Sequence, residues 1–320
     1  MQKLAVVFGG SGFLGKQVVR ALCKDGWRVR VAVRRAHQAV DLRVEGAVGQ
    51  VQLLQTNIRS EISIARAVED AEIVINLVGV LFESGRQKFS TLHVNGADMI
   101  AQAAYAVGAS QLVHVSALGA DIGSDASYAR SKAAGEDKVR IAFPMATIIR
   151  PSVLFGPGDG LFERFAGLAR ITPIIPLPGA NTKMQPVYVG DVAKAVVRAL
   201  QIPAARGQTY ELGGPEVLTL GQILNFTVQQ IDRKRLVISV PGFVAKVMGF
   251  TGDLLGALPF VTPFLTQDQV KLLAYDNVVA DNTLGFGDLD MPILETVEAM
   301  VPPYLGRFRR YGQFHEKSAV

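Results

Sequence analysis

Two sets of residues in this chain have the types and spacing to do chemistry. Tyr128 and Lys132 are four apart in Tyr128-Ala129-Arg130-Ser131-Lys132, so on a helix they share a face and bring an ammonium towards a phenolic oxygen. A free phenol titrates near ~10, and a neighbouring cation lowers it towards the range useful for acid-base work. Ser116, which closes an apolar run upstream, can hold a carbonyl oxygen by hydrogen bond while a hydride is delivered. A Tyr-Lys pair alone is often only a solvated helix face. The second set changes the balance, because Gly9-Gly10-Ser11-Gly12-Phe13-Leu14-Gly15 follows directly on the apolar run Lys3 to Phe8. Glycines at 9, 12 and 15 allow a tight turn, close approach of a diphosphate to backbone, and close packing of helix on strand. Free N–H groups at the helix start, around Ser11, Phe13 and Leu14, supply the positive pole. The spacing is GxxGxxG, and the alternative is a purely structural turn.

Further positions extend a dinucleotide reading. Arg34-Arg35 stands after the second apolar run, where Asp or Glu would take ribose hydroxyls. Guanidinium groups match a 2′-phosphate, so the expected cofactor is NADPH; the alternative is an exposed basic turn. Asn57-Ile58 after the third run and Leu77-Val78-Gly79 after the fourth are expected to meet adenine and let the cofactor pass, or else simply punctuate strand ends.

These residues need a scaffold that places them at one edge. Strands are expected at 3–8, 28–33, 51–55, 72–78, 111–116 and 145–150, and helices at 12–25, 61–69, 88–107 and 126–142. Short β-branched runs alternating with longer helical patterns imply an α/β fold, a doubly wound parallel sheet covered on both faces. From Pro151 onward, prolines and glycines break the pattern. We expect a domain over 1–155, a mixed region over 156–300 that forms a smaller C-terminal lobe over the sheet's carboxyl edge, and an extended basic tail over 301–320. A helix at 191–202 and a strand at 208–212 should return to the sheet.

Composition narrows the function classes. With 320 residues, 49% hydrophobic, the chain can bury a large core. The single cysteine, Cys23, allows no disulfide framework and fits a reducing compartment. The four histidines, His37, His93, His114 and His315, lack ligand spacing, so no metal site is expected, and His114 reads as a buried strand histidine. A formal net charge of +5 is spread along the chain without a basic-aromatic stripe, which argues against nucleic acid. No targeting segment is expected ahead of the first strand, and no long uninterrupted apolar run predicts a membrane-spanning helix. Residues 241–265 carry only Lys246 and Asp253 as charges among Phe243, Val247, Met248, Phe250, Leu254, Leu255, Leu258, Phe260, Val261, Phe264 and Leu265. This stretch is expected to be amphipathic pieces at a membrane interface, a surface covered by other subunits, or a pocket lid and lobe core.

The chain resembles the short-chain dehydrogenase/reductase superfamily, in its extended or atypical branch, over residues 3 to 215. The resemblance rests on the glycine turn, Ser116, Tyr128 and Lys132, Arg150-Pro151-Ser152 with Phe155-Gly156, and Val189-Gly190-Asp191-Val192-Ala193. It implies a Rossmann-like fold and cofactor contacts that include Lys132, Tyr128, Pro151 and Val153. Residues 6–15, 128–136, 146–156 and 265–279 further resemble the accessory subunits of respiratory complex I that have this fold. That resemblance implies tightly held NADPH in a structural role, complex I peripheral-arm partners near the quinone module, and a membrane surface at the bacterial cytoplasmic face or the mitochondrial matrix face. The lack of a transit segment favours the bacterial one. A free-standing NADP-dependent reductase or epimerase acting on a lipid-like or quinone-like compound is the competing expectation. A redox-sensing binding module is a third.

Overall fold

A computed structural model describes residues 3–256, 263–310 and 312. In chain order its elements are β1 (Leu4–Phe8), α1 (Phe13–Lys24), β2 (Arg28–Val33), β3 (Val51–Gln55), α2 (Glu61–Val68), β4 (Ile73–Asn76), α3 (Gly96–Ala106), β5 (Gln111–Val115), α4 (Ser127–Ala142) and β6 (Thr147–Pro151). There follow β7 (Leu154–Phe155), α5 (Phe162–Ile171), β8 (Ile174–Leu177), β9 (Lys183–Met184), β10 (Val187–Tyr188), α6 (Val189–Gln201) and β11 (Thr209–Leu212). The last are β12 (Leu218–Thr219), α7 (Leu220–Gln230), β13 (Leu236–Ser239), α8 (Gly242–Gly256), α9 (Gln267–Leu272) and α10 (Val297–Leu305).

The chain forms two compact units. The first takes the described residues up to Pro151, Val189–Leu212 and Val279–Ile293. The second takes Ser152–Tyr188 and the described residues of 213–278 and of 294 onward. The boundary expected at 155 therefore falls at 151, and the chain re-enters the first unit twice.

Seven parallel strands form the first unit's sheet in the order β3-β2-β1-β4-β5-β6-β11. This is the expected doubly wound α/β architecture, and its strand order reverses between β1 and β4, the crevice where such sheets bind ligands. Alternation along β1 sends Val6 and Phe8 into a core with Ile64, Ile100, Ala104 and Val139, while Val7 and Val31 lie on the face where Gly10 meets Val19 of α1. The expected strand 72–78 shortens to β4 because the Asn76 carboxamide oxygen takes the Val78 N–H at 3.1 Å and bends the chain. The expected helix 88–107 opens with a π-helical stretch, Ser90–Asn95. There the His93 carbonyl packs on Gly135, where a Cβ would come within 2.1 Å.

The second unit has its own core, built from Phe155, Phe162, Ile175, Leu220, Ile223, Val301 and Leu305. The expected extended tail is corrected at its start. Helix α10 runs through Pro302 and Pro303, because burying Val297, Val301 and Leu305 outweighs the two lost N–H bonds. Most of the remaining tail, with Tyr311 and His315, lies outside the described residues.

Helix α8 is an inverted amphipath. Ala245, Gly249, Gly252 and Gly256 form its buried face, and a Cβ at Gly252 would meet the Leu265 carbonyl oxygen at 1.7 Å. Its opposite face shows Phe243, Val247, Phe250 and Leu254 to solvent. For these side chains lobe core is excluded; Leu258, Phe260 and Val261 lie outside the described residues. No helix among the described residues is long and apolar enough to cross a membrane.

Candidate functional site

All strands of the sheet are parallel, so their carboxyl ends share one edge, and most of the expected site residues sit in loops leaving it. Gly9 has φ +80°, and a Cβ there would lie 3.1 Å from the Leu77 carbonyl group, so the β1 and β4 loops touch at the switch point. A Cβ on Gly15 would come within 2.3 Å of the Gly9 oxygen. These two glycines answer to the protein's own packing. Gly12 differs, because its φ of −76° suits any residue and an added Cβ meets nothing closer than the Gly9 oxygen at 3.3 Å. It precedes α1, whose first turn has no side-chain cap and no acidic residue. Unpaired helix N–H groups beside a position with a single close neighbour suit a diphosphate. Here Ser11 is exposed, Phe13 half-buried, and Leu14 turns its side chain into the core.

Ser116 follows directly on β5, and α4 carries Tyr128 and Lys132. Lys132 is buried and donates from Nζ to the Val115 carbonyl at 2.9 Å. Burial pulls its ammonium down to about 8, against the pull of Glu136. The expected lowering of the phenol is corrected: burial pushes Tyr128 up to about 12. The Ser116 Oγ is buried and makes no hydrogen bond among the described residues. An unsatisfied buried hydroxyl costs about 1–3 kcal/mol, so it marks a place where a ligand oxygen fits.

A histidine that sequence reasoning passed over ties these parts together. The Val80 N–H donates to His93 Nε2 at 3.0 Å, so the ring proton resides on Nδ1. Nδ1–H then donates to Ser131 Oγ at 2.9 Å, and that hydroxyl donates to the Tyr128 carbonyl at 2.7 Å. Burial, with the Lys132 charge, drives His93 down to about 3 and keeps it neutral. Its ring stacks on Phe89 and meets Tyr128 edge-on, at centroid distances of 5.2 and 5.6 Å. A Cβ on Gly79 would lie 3.8 Å from His93 Nε2 and 3.9 Å from Lys132 Nζ. The β4 loop, the π-helical stretch and α4 thus converge on one spot. The Asn76 carboxamide also donates to His114 Nδ1 at 3.1 Å inside the sheet.

Other expected residues divide by position. Arg34 and Arg35 are exposed after β2, with Arg34 donating to Gln87 Oε1 at 2.9 Å. Asn57 is exposed, and its side-chain oxygen takes the Arg59 N–H at 3.2 Å, while the Ile58 side chain is buried against Gly96. Leu77 and Val78 are half-buried beside the glycine loop, and Pro151 is buried at the end of β6. Val153 belongs to the second unit. Arg150 is structural. It grips the carboxylate of Glu136, only 1% exposed, through two bonds of 2.9 and 2.8 Å, and reaches Glu211 at 3.3 Å. The position of Glu136, four residues after Lys132 on the same helix face, was the available signal. No group of three or more metal-ligating side chains occurs among the described residues.

Comparison with known proteins agrees with this architecture. Residues 5–213 match the model of the NAD dependent epimerase/dehydratase family. Among curated proteins, the chain is 36% identical to rat "NADH dehydrogenase [ubiquinone] 1 alpha subcomplex subunit 9, mitochondrial", covering 89% of this chain and 75% of that one. It is also 36% identical to the ceramide reductase of Caulobacter vibrioides, over 62% of each. A nucleoside-diphosphate-sugar epimerase from Staphylococcus aureus shares the fold with a TM-score of 0.73 at 12% identity, covering 94% of this chain and all of that one.

Proposed function

The chain belongs to the NAD dependent epimerase/dehydratase family, and from that premise we propose that it is an NADPH-binding accessory subunit of respiratory complex I without turnover of its own. The observation that carries this reading is the 36% identity with the rat complex I subunit along nearly nine-tenths of the chain. The subunit stabilises the peripheral arm near the quinone module. It docks at the membrane surface, on the cytoplasmic face in a bacterium or the matrix face in a mitochondrion, through residues 241–265 and the basic tail. The exposed apolar face of α8 supports that contact.

Within the first unit, Gly12 and the uncapped start of α1 take the diphosphate, and Arg34 and Arg35 take the 2′-phosphate. Ser116, Tyr128 and Lys132 surround the nicotinamide end. Bound there, the cofactor brings hydride chemistry. The chain's own groups bury and orient it.

The Ser116 hydroxyl, buried and unsatisfied, favours a second reading. In it the protein is a free-standing NADP-dependent reductase or epimerase on a lipid-like or quinone-like substrate, a reading that the similarity to a ceramide reductase also supports. Gentle purification of the native assembly, with mass spectrometry of its nucleotide and its chains, separates the two. Complex I subunits together with NADPH support the first. A lone chain that oxidises NADPH with an added carbonyl compound, and loses that activity in Tyr128→Phe, overturns it.

A further inference from the structure

In the second unit, Arg170, Arg233 and Arg235 have no carboxylate partner among the described residues. Arg233 Nε is buried without a hydrogen-bond partner among the described residues, and Arg235, Arg170 and Arg310 crowd it with like charge. Arg235 is fixed in place, its Nε donating to the Ala169 carbonyl at 2.6 Å near the end of α5. Arg309 donates to the Gln230 carbonyl at 3.1 Å and so holds its segment at the end of α7. Among the described residues, none of Arg170, Arg233 and Arg235 joins an ion pair, and the neighbouring Asp232 pairs with none of them. The carboxyl ends of two helices offset part of this repulsion. The rest calls for an anion.

The surroundings say which anion. Strands β8 and β13 pair in parallel, with Leu236 opposite Ile174 and Ile238 opposite Pro176. Their outer face leaves Ile174 50%, Leu236 59% and Ile238 42% exposed, and Ile171 at the end of α5 is 83% exposed. A nucleotide or an acidic peptide has no use for four bare aliphatic side chains beside its charge. Phospholipid headgroups over an acyl layer match both.

We propose that this ribbon and its arginines form a surface selective for anionic phospholipid, with the guanidiniums on headgroup phosphates and Ile171, Ile174, Leu236 and Ile238 in the interface. This rests on the membrane-surface part of the reading above, and adds a headgroup chemistry and a location outside 241–265.

The test is sedimentation of the full chain with vesicles of phosphatidylcholine alone, or of phosphatidylcholine and phosphatidylglycerol in equal parts. The wild type is expected to prefer the anionic vesicles. The double variant Arg170→Gln, Arg233→Gln should partition roughly thirtyfold less, at about fivefold per guanidinium. Ile174→Asp with Ile238→Asp should also release it. The charge-matched control Arg28→Gln, Arg66→Gln, on exposed positions of the first unit, should keep most of the binding. Equal binding to both vesicles, an equal loss in the control, or competition by inorganic phosphate at constant ionic strength overturns the proposal. Copurification with complex I is scored separately. If it persists while vesicle selectivity is absent, the lipid surface falls and the subunit reading stands; if the wild type does not copurify, the subunit reading falls whatever the vesicles show.

Discussion

Replacing Gly12 and Gly15 by alanine separates a ligand cradle from a structural turn. At Gly12 the backbone suits any residue and the new methyl touches only the Gly9 oxygen at 3.3 Å. Alanine there should change the stability of the apo-protein by no more than about 1 kcal/mol, the tight contact working against the gain made through the unfolded chain. At Gly15 the methyl would sit 2.3 Å from the Gly9 oxygen and 2.6 Å from the Gly10 Cα. Backbone must move, at a cost of roughly 1–3 kcal/mol. The ligand-bound state should behave in the opposite sense. NADPH at a hundred times its dissociation constant stabilises the wild type by about 2.7 kcal/mol, or roughly 5–10 °C of melting temperature. Weakening two charge-assisted hydrogen bonds, at about 1.5–3 kcal/mol each, raises the dissociation constant at least about a hundredfold. At the same NADPH concentration Gly12→Ala then retains only about 0.4 kcal/mol of that stabilisation. Differential scanning fluorimetry with and without NADPH reads both effects. A Gly12→Ala protein with the full wild-type shift would refute the placement of the diphosphate.

Three other perturbations have outcomes fixed by the geometry. His93 is neutral in the fold down to about 3 but ionises near 6.5 when unfolded, so between those values the unfolded state binds more protons and stability falls as pH drops. From pH 6.5 to 5 that slope amounts to roughly 2 kcal/mol, and it should be missing in His93→Gln when the two are compared by urea denaturation. Arg34→Asp with Arg35→Ala should weaken NADPH about tenfold or more relative to NADH, read by fluorescence titration, and a wild type that prefers NADH would undo the assignment. Glu136→Ala leaves Arg150 half-buried without its bidentate partner and should cost about 3–5 kcal/mol in denaturant titration, whereas a loss below about 1 kcal/mol would mean that the pair is idle.

Local signals carried most of the first unit. The glycine turn, the β-branched runs and α4 are each written in contiguous residues, and the observed strands lie within two residues of their expected ends. What stayed hidden is held by partners distant in sequence. No periodicity says that Val80 will donate to His93, that Lys132 will spend its ammonium on the Val115 carbonyl, or that Arg150 will close on Glu136 and Glu211. Pro302 and Pro303 misled for the opposite reason. A strong local rule was overridden by burial of Val301 and Leu305, which only the assembled second unit supplies.

The three residues that resemble a reductase's working set do not stand equal in this fold. Lys132 has a structural task at the end of β5, and Tyr128 is packed against Phe89 and His93. A protein that only stores a nucleotide has reason to keep both. A phenol held at about 12 is protonated at neutral pH, with phenolate on the order of one part in 100,000, so it can give a proton to a developing alkoxide but hardly take one from an alcohol. Ser116 has no such task, since its hydroxyl is buried and bonds to nothing among the described residues. Its cost is recovered only when a ligand atom meets Oγ. Storage and turnover are therefore best told apart at Ser116, because storage asks for one fixed nucleotide group there and turnover asks for an exchangeable carbonyl.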